Sequence, residues 1–417
     1  MSETVHIPQL RFPEFSGDWN RVKIQKLLDD KSIISHLDGN HGALYPRSEE
    51  FTKEGVPYVT ANDFINGKVD LKKCKCLPVE RASQFKKGIA HNGDVLFAHN
   101  ATVGPVALLE TDLEYVVLST TATYYRCDNN TLINKYLKVY LTSNDFVRQY
   151  SRVMSQSTRN QVPITTQRLF YINLPDKPEQ QKIAAFLTAV DSKIEQLSKK
   201  KALLGEYKKG LMQKIFSQAI RFKADDGSDF PDWEDGLLNT LIDNSRKIRY
   251  GIVQPGKYDK NGKYLIRGKD YSNGWEIPSE FFKVSDAIEK KYSKTRVKKG
   301  DVIVCIVGSV GNVMVIPGWL DGANITQTTA RIAPDKNKLN NQYLYFYFQS
   351  LVGRNMIHKH TRVGTRPGLN IEDVEKFSIL LPSLLEQAKI ANFLSSIDNK
   401  IEQVGKQLDE SKQFKKA

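Results

Sequence analysis

Glu179-Gln-Gln-Lys-Ile-Ala-Ala-Phe-Leu-Thr-Ala-Val-Asp-Ser-Lys-Ile-Glu-Gln196 is repeated near the C-terminus as Glu386-Gln-Ala-Lys-Ile-Ala-Asn-Phe-Leu-Ser-Ser-Ile-Asp-Asn-Lys-Ile-Glu-Gln403. The second copy follows the first by 207 residues and keeps that offset without a gap. Asp176 and Ser383 stand three residues before the two glutamates, which is the spacing of a capping box at a helix start. The sequence therefore predicts that each copy begins a helix.

Apolar residues recur in both copies with the seven-residue spacing of a coiled coil. One helix of this kind could be a core helix of an ordinary α/β domain. Two copies can bury their apolar stripes against each other, and the repeat favours an antiparallel pair about 45–55 Å long, with a globular segment at each end. We expect the pair to be a spacer, with its stripe formed by Ile183, Leu187, Val190, Ile194 and Leu197 and by Ile390, Leu394, Ile397, Ile401 and Val404.

Length and charge restrict the class of protein. The chain has 417 residues, of which 40% are hydrophobic, and this is enough for two cores. A net charge of +14 favours a polyanionic partner such as nucleic acid. No stretch approaches the roughly 18 apolar residues of a membrane span, and no apolar signal region follows Met1, so we expect a soluble cytoplasmic protein without a membrane partner. The four cysteines are too scattered for a disulfide framework and are expected to be reduced thiols.

The two halves of the chain match each other between the helices as well. Gly93-Asp-Val-Leu-Phe97 corresponds to Gly300-Asp-Val-Ile-Val304, and both predict a turn followed by a buried strand. The first half also carries eleven extra residues between Asp29 and Val59. Short strands outnumber helices long enough for crossovers, so each globular half is predicted to be α/β with mixed or antiparallel strands. We expect globular domains at 1–175 and 220–382 and helices at 176–219 and 383–417.

The chain lacks the common signatures of catalysis. It contains no Walker loop, no glycine-rich dinucleotide turn, no His-Glu-x-x-His and no Gly-x-Ser-x-Gly. Glu289-Lys-Lys291 with Asp270 upstream could be read as a nuclease pattern, but the matching positions in the first half are Ala82 and Gln84. We therefore expect no catalysis and no metal or cofactor bound by this chain.

Polar and basic side chains at loop positions point instead to recognition of DNA. Arginine, asparagine and glutamine can bond two atoms of a base edge, while lysine, serine and threonine bind phosphates. Each loop alone could be an ordinary solvated loop, but loops at matching positions in both halves of a basic chain make a stronger case. The candidates are Asn100, Thr102, Thr158, Arg159 and Asn160 in the first half, and Arg246, Arg249, Tyr250, Gln254, Arg267, Lys269, Ser309, Asn312, Arg362, Thr365 and Arg366 in the second.

Nearly the whole chain resembles the specificity subunit of type I restriction–modification enzymes. The resemblance is carried by Arg11-Phe-Pro-Glu-Phe15, by the two Gly-Asp-Val strands, and by the tandem motif Pro…Glu-Gln-x-Lys-Ile-Ala-x-Phe-Leu…Asp-x-Lys-Ile-Glu at 175–196 and 382–403. One departure is that the chain stops at Ala417, the counterpart of Gly210, whereas the first helix motif continues to Phe216. The second helix is therefore expected to lack the last turns of the first.

The resemblance implies a division of roles. Each globular half would be a target recognition domain that reads one half of a split site on double-stranded DNA. The helices would fix the gap between half-sites and dock two methyltransferase subunits that use S-adenosylmethionine. Restriction subunits that use ATP and Mg would complete the enzyme. The alternatives are a non-catalytic protein-interaction scaffold and, less favoured by the missing motifs, a nuclease or modification enzyme.

Overall fold

The computed structural model describes residue 8 and residues 10–155, 160–272, 274–362, 364 and 367–416. The chain divides into two compact units. Unit 1 comprises Met1–Gln196 with Ser411–Ala417, and unit 2 comprises Leu197–Glu410. Each of the two long helices contributes to both units.

Unit 1 is built from short strands and helices. Its strands are β1 (Asn20–Lys23), β2 (Ile33–Asp38), β3 (Val56–Val59), β4 (Phe64–Ile65), β5 (Lys68–Val69), β6 (Lys75–Leu77), β7 (Ile89–Ala90), β8 (Val95–Ala98), β9 (Val106–Leu108), β10 (Val116–Leu118), β11 (Ala122–Cys127) and β12 (Tyr171–Leu174). Its helices are α1 (Ile24–Asp29), α2 (Val79–Ala82), α3 (Asn134–Tyr140), α4 (Asn144–Met154), α5 (Ile164–Gln167) and the long α6 (Lys177–Phe216), which continues into unit 2.

The sheets of unit 1 are mixed. Strand order is β2-β11-β8-β9-β5-β4 in one sheet, β6-β3-β10-β7 in the second and β1-β12 in the third. Most pairs are antiparallel, but β10 runs parallel to β3 and β9 parallel to β5. A tight turn at Asn66-Gly67 joins β4 and β5, and both residues have positive φ, at 51° and 74°, as an Asn-Gly hairpin turn requires.

Unit 2 repeats this plan with fewer strands. They are β13 (Glu234–Leu237), β14 (Arg249–Tyr250), β15 (Lys263–Ile266), β16 (Phe282–Val284), β17 (Val302–Cys305), β18 (Val313–Val315), β19 (Asn324–Ile325), β20 (Thr329–Ile332) and β21 (Ser378–Leu381). The helices are α7 (Asp286–Lys291), α8 (Asn341–Gln349), α9 (Leu351–His360), α10 (Ile371–Glu375) and α11 (Leu384–Lys416). The sheets have the orders β14-β20-β17-β18, β16-β15-β19 and β13-β21. The predicted α/β class and the tandem repeat are confirmed.

The long helices α6 and α11 pack together and run antiparallel. Near the start of α6, the ring of Phe186 lies 6.0 Å from that of Phe414 at the end of α11. Further along α6, Lys208 Nζ lies 2.7 Å from Asp398 Oδ2, well before the end of α11. Partners on α11 therefore come earlier in the sequence as α6 advances, as predicted.

The two predicted apolar stripes are buried to different degrees. On α6, all five predicted residues are only half-buried. On α11, Ile390, Leu394 and Ile397 belong to the core of unit 2, and Val404 is also buried. Ile401, the fifth predicted residue, is half-buried and packs against the same core. Burial of these residues accords with a stripe that packs within the chain, and a role of the stripe in docking stays a prediction.

The helix starts differ from the predicted capping box. Ser383 Oγ accepts a hydrogen bond from the Glu386 N–H at 3.4 Å, as a cap should. The Glu386 carboxylate, however, is buried and accepts hydrogen bonds from Arg221 Nη2 at 2.8 Å and Trp233 Nε1 at 3.0 Å. In the reciprocal box this side chain would turn back to its own helix, and that part of the prediction is wrong.

Replacement of Glu386 by alanine should destabilise unit 2. It removes the buried carboxylate that Arg221 and Trp233 share and leaves the half-buried guanidinium with only the exposed Asp232 carboxylate, 3.4 Å away, at a cost of about 2 kcal/mol. The free energy of unfolding in urea measures this loss. Glu402→Ala, on an exposed position of the same helix, is the matched control. Equal stability of the two variants would contradict the assignment.

Candidate nucleic-acid interface

Two of the loops predicted in the first half meet at the C-terminal end of strand β8. The N–H of Ala101 donates to the carbonyl of Asn160 at 3.0 Å, and the N–H of Val162 donates to the carbonyl of His99 at 2.8 Å. The N–H of His99 in turn donates to the carbonyl of Thr121 at 3.0 Å. Segments 99–104, 119–121 and 160–162 thus form one surface, which we call the first loop face.

Unit 2 builds the same surface with the same backbone bonds. The N–H of Leu369 donates to the carbonyl of Ile306 at 2.8 Å, and that of Gly308 to Pro367 at 3.4 Å. The N–H of Ile306 donates to Thr328 at 2.8 Å. Each donor and each acceptor stands 207 residues after its counterpart in unit 1. Segments 306–312, 326–328 and 367–369 form the second loop face.

The side chains on the two faces are polar but different. On the first face Thr102 and Asn160 are exposed and Asn100 is half-buried, and on the second Ser309 is exposed and Asn312 half-buried. The structure therefore brings these five predicted residues onto equivalent surfaces.

The sequence analysis missed the central segment of each face. Gln327 is exposed at its middle in unit 2, and Thr120 is half-buried at the same place in unit 1. The hydroxyls on either side bond each other, Ser119 to Thr121 at 2.6 Å and Thr326 to Thr328 at 2.9 Å. The sequence signal that could have indicated this segment is a pair of hydroxyl residues, two positions apart, that recurs 207 residues later.

A glycine places a further loop beside each face. A Cβ atom at Gly251 would lie 1.7 Å from the carbonyl oxygen of Ile325, so only glycine allows this approach. The N–H of Gly251 donates to Thr326, which places the exposed Tyr250 and Gln254 next to the second face. Arg249 is also exposed, on strand β14.

Unit 1 has the same close approach at Gly39, where a Cβ atom would lie 2.2 Å from the carbonyl oxygen of Leu118. The loop that follows exposes Leu44 and Tyr45, which the sequence analysis did not select. They lie between Asp29 and Val59, where the sequence analysis expected eleven extra residues. The pairing of β1 with β12 and of β13 with β21 makes Asn20 the counterpart of Glu234, an offset of 214, so the extra residues number seven rather than eleven.

Other candidates are placed differently. The guanidinium of Arg246 binds the carboxylate of Asp301 in the turn before β17, at the opposite end of that strand from Gly308, so Arg246 does not belong to the second face. Arg267 is next to the face in the chain, but it binds both carboxylate oxygens of Asp270 and holds its own turn. Both arginines form internal ion pairs, and their contact with DNA stays a prediction.

Among the described candidates, Lys269 and Arg362 are also exposed near the second face. Lys269 is exposed, and Arg362 is 70% exposed with only a 4.0 Å contact to the Asp373 carboxylate. The N–H of Arg362 donates to Gly368, which fixes its position at the edge of the face. The predicted contacts Thr158, Arg159, Thr365 and Arg366 lie outside the described residues.

A buried polar cluster lies directly beneath the first loop face. It consists of His36, His99, Thr123, Tyr125 and Gln167 and is called here the Gln167 cluster. Gln167 Oε1 accepts hydrogen bonds from Tyr125 Oη at 2.6 Å and Thr123 Oγ1 at 3.1 Å. His36 Nε2 lies 3.2 Å from the same oxygen, and the His36 ring stacks on Tyr125 at 4.1 Å.

Burial controls the charge state of both histidines in the cluster. It lowers the pKa of His36 to about 3, and the nearby Arg168 guanidinium acts in the same direction. Burial also lowers the pKa of His99. Both rings are therefore neutral at physiological pH.

The stability of unit 1 should fall as the pH is lowered. The folded His36 has a pKa below its ordinary value, so the unfolded chain binds the proton first, and stability is lost from about pH 6.5 downward. The loss attributable to one such histidine is about 2 kcal/mol between pH 7 and pH 5. Urea unfolding at the two pH values measures it. His36→Leu should show a correspondingly weaker pH dependence, and an unchanged dependence would contradict the assignment.

The described residues give little support for other kinds of site. Their His, Cys, Asp and Glu side chains form no group of three or more that could hold a metal ion. All four cysteines are free thiols, and burial raises the pKa of Cys74 to about 12. No helix within these residues combines the length and apolar content needed to cross a membrane.

Comparison with known proteins identifies relatives of the whole chain. Residues 34–205 and 242–410 each match the family described as type I restriction modification DNA specificity domain. The putative type I restriction enzyme MjaX specificity subunit of Methanocaldococcus jannaschii is 26% identical over 423 aligned positions, which cover 97% of this chain and 92% of the relative. The EcoBI specificity subunit of Escherichia coli is 29% identical over 178 positions, 43% of this chain and 37% of the relative.

Solved structures show the same fold. The type I restriction–modification S subunit from M. genitalium superposes with a TM-score of 0.57 at 14% identity, covering 98% of this chain and 97% of that one. A chain from a study of assembly and conformational transition of the type I R-M system gives a TM-score of 0.55 at 19% identity, with coverage of 98% and 97%.

Proposed function

The chain belongs to the specificity subunits of type I restriction–modification enzymes, and from this premise we propose that it reads a two-part DNA target, one half-site with each unit. The observation that carries the proposal is the pair of loop faces. Their backbone hydrogen bonds are the same, whereas their side chains differ. Equivalent surfaces with different polar groups are what two half-sites of different sequence require.

The chemistry of the faces suits duplex DNA. Asn100, Asn160 and Gln327 carry amides that can both donate to and accept from a base edge, and such bidentate contacts distinguish base pairs. Ser309 and Thr102 offer hydroxyls to phosphates, and the net charge of +14 supplies attraction that does not depend on sequence. The amides therefore act in reading and the hydroxyls and cations in positioning.

We further propose that the chain catalyses nothing itself and acts in the cytoplasm, where the host DNA lies. Two methyltransferase subunits and the restriction subunits would supply the chemistry, with S-adenosylmethionine, ATP and Mg bound to them. The half-buried stripe of α6 leaves apolar surface available to a partner subunit, which supports docking there.

The nuclease alternative has no support in the described residues. Glu289 is buried and accepts hydrogen bonds from Arg296 and Asn324, and Asp270 is bound by Arg267. These carboxylates hold turns together. A pure interaction scaffold would not need two amide-bearing faces on a basic chain, and the DNA-binding measurement below separates it from a DNA reader.

Gln327→Ala should weaken binding to the cognate site by about 1–3 kcal/mol and relax one base position in one half-site only. Binding of the full chain to duplexes with single base changes measures the effect, and a titration from roughly 50 to 200 mM salt should show a steep loss of affinity for wild type and variant alike. Gln403→Ala, exposed on α11, is the control and should bind like the wild type. Equal loss at all positions, or no salt-dependent binding at all, would contradict the proposal.

A four-residue insertion between Lys200 and Lys201 should lengthen the preferred gap between the half-sites. It adds about 6 Å to the continuous helix α6 and nearly preserves the phase of its apolar stripe. At 3.4 Å per base pair, the gap should grow by one or two base pairs, with both half-sites unchanged. Mapping of methylated sites in the host genome measures the gap.

The same four residues inserted after Asp226, in an exposed turn, form the matched control and should leave the gap unchanged. A two-residue insertion in α6 would turn the stripe away from its partner surfaces and should abolish assembly with the methyltransferase. An unchanged gap in the four-residue variant would show that α6 does not set the spacing.

A further inference from the structure

The Gln167 cluster has no polar counterpart in unit 2. Strand pairing and the offset of 207 residues place apolar side chains at all five equivalent positions, and all five lie in the core of unit 2. His36, His99, Thr123, Tyr125 and Gln167 are replaced there by Ile248, Ile306, Ala330, Ile332 and Val374.

Stability does not account for this difference. The backbone junction above the cluster is the same in both units, with the Val162 N–H donating to His99 and the Leu369 N–H to Ile306, each at 2.8 Å. Unit 2 therefore forms the junction over a purely apolar core. In unit 1, His36 Nδ1 and His99 Nε2 are buried and find no hydrogen-bond partner of good geometry among the described residues, which costs free energy that the apolar set does not incur.

The polar cluster adds directional contacts at one backbone atom. The carbonyl oxygen of Val162 accepts a hydrogen bond from Gln167 Nε2 at 2.9 Å and lies 3.2 Å from His99 Nδ1. A carbonyl only accepts, so the neutral His99 ring carries its proton on Nδ1 and donates. Two donors on one oxygen fix the orientation of the peptide, whereas apolar contacts do not depend on direction.

The fixed peptide continues into the first loop face. Gln161, the residue before Val162, pairs with Asn100 in an antiparallel bridge, and Ala101 is bonded to Asn160. The orientation of Val162 is thus transmitted within one or two residues to the amides of Asn100, Asn160 and Gln161.

We propose that Gln167 and His99 are positioning residues of the first loop face, which hold the Val162 carbonyl and thereby set base discrimination at one half-site only. This inference rests on the proposed function, because it assumes that the first loop face reads DNA. Neither residue touches DNA itself, since both are buried.

The test uses the full chain and two pairs of variants. Gln167→Met removes the amide at similar length, and Val374→Met is the matched change at the equivalent position in unit 2. His99→Leu removes the donor to Val162, while His99→Asn keeps an N–H near the position of Nδ1. Binding to a randomised duplex library, followed by sequencing of the bound DNA, gives the discrimination at each half-site, and urea unfolding verifies that every variant is folded.

Gln167→Met and His99→Leu should each lower discrimination at one half-site by about tenfold, the size of a lost base-specific contact. The other half-site and the salt dependence should stay as in the wild type. His99→Asn should retain discrimination, and Val374→Met should not change the half-site that Gln167→Met affects. If Gln167→Met is unfolded, the His99 pair alone decides.

Three results would overturn the inference. One is unchanged discrimination in folded Gln167→Met and His99→Leu. Another is an equal loss at both half-sites, which a general loss of stability would produce. The third is loss of discrimination in His99→Asn as large as in His99→Leu. Absence of any sequence preference in the wild-type chain would instead overturn the proposed function, and this inference with it.

Discussion

The rest of the molecule depends on the hydrogen bonds that a buried glutamate accepts at the start of each long helix. Glu179 accepts hydrogen bonds from Arg11 Nε at 2.7 Å and Trp19 Nε1 at 3.1 Å, and Glu386 makes the equivalent pair of contacts in unit 2. A buried carboxylate without such partners would be strongly destabilising, so the segment that carries the arginine and the tryptophan must close over the helix start. The glutamine that follows each glutamate fixes the helix start to a neighbouring loop. Gln180 Oε1 accepts a hydrogen bond from the N–H of Ile133 at 2.9 Å, and Gln180 Nε2 donates to the carbonyls of Thr131 and Pro175. Gln387 repeats all three bonds at positions 207 residues later.

These contacts explain why the two halves are nearly identical in some places and different in others. The repeated residues bond backbone atoms that belong to another element, as Tyr136 does to the carbonyl of Asn173 and Tyr343 to that of Leu380, both at 2.5 Å. Such a side chain can change only if the distant backbone moves with it. The exposed side chains of the loop faces are under no such constraint, because the faces are joined by backbone bonds and by the buried or half-buried side chains beneath them, and a backbone bond does not depend on the side chain it carries. Thr120 and Gln327 can therefore differ at equivalent places without any change of fold.

The sequence could predict features that depend on local patterns, but not those that depend on contacts between distant residues. The long helices, the Gly-Asp-Val strands and the α/β class followed from periodicity and repetition, because those signals are local. The partners of the Glu386 carboxylate could not be predicted in this way, because a glutamate in a capping box and a glutamate bound to Arg221 occupy the same position in a helix-start pattern. The ion pairs of Arg246 and Arg267 could not be predicted from the sequence either. An exposed and an ion-paired arginine look alike in sequence, and Asp301, the partner of Arg246, lies 55 residues away. The convergence of three loops at each face was only partly predictable, because the central segment carries no basic residue to mark it.

One strand in each unit, β8 or β17, connects the repeated contacts with the loop face. Strand β8 begins just after the turn at Gly93, whose carbonyl accepts a hydrogen bond from Asn134 Nδ2 at 2.9 Å, and it ends at the first loop face. Strand β17 is held in the same way by Asn341 on Gly300, at 3.1 Å, and ends at the second face. One end of each strand is thus fixed by a repeated side-chain contact to helix α3 or α8, while the other end carries variable side chains. The strand between the two ends is fully buried and paired on both sides, so an exposed side chain at the variable end makes no direct contact with the repeated residues. This arrangement allows the loop face of either unit to change while the repeated contacts at the long helices stay the same.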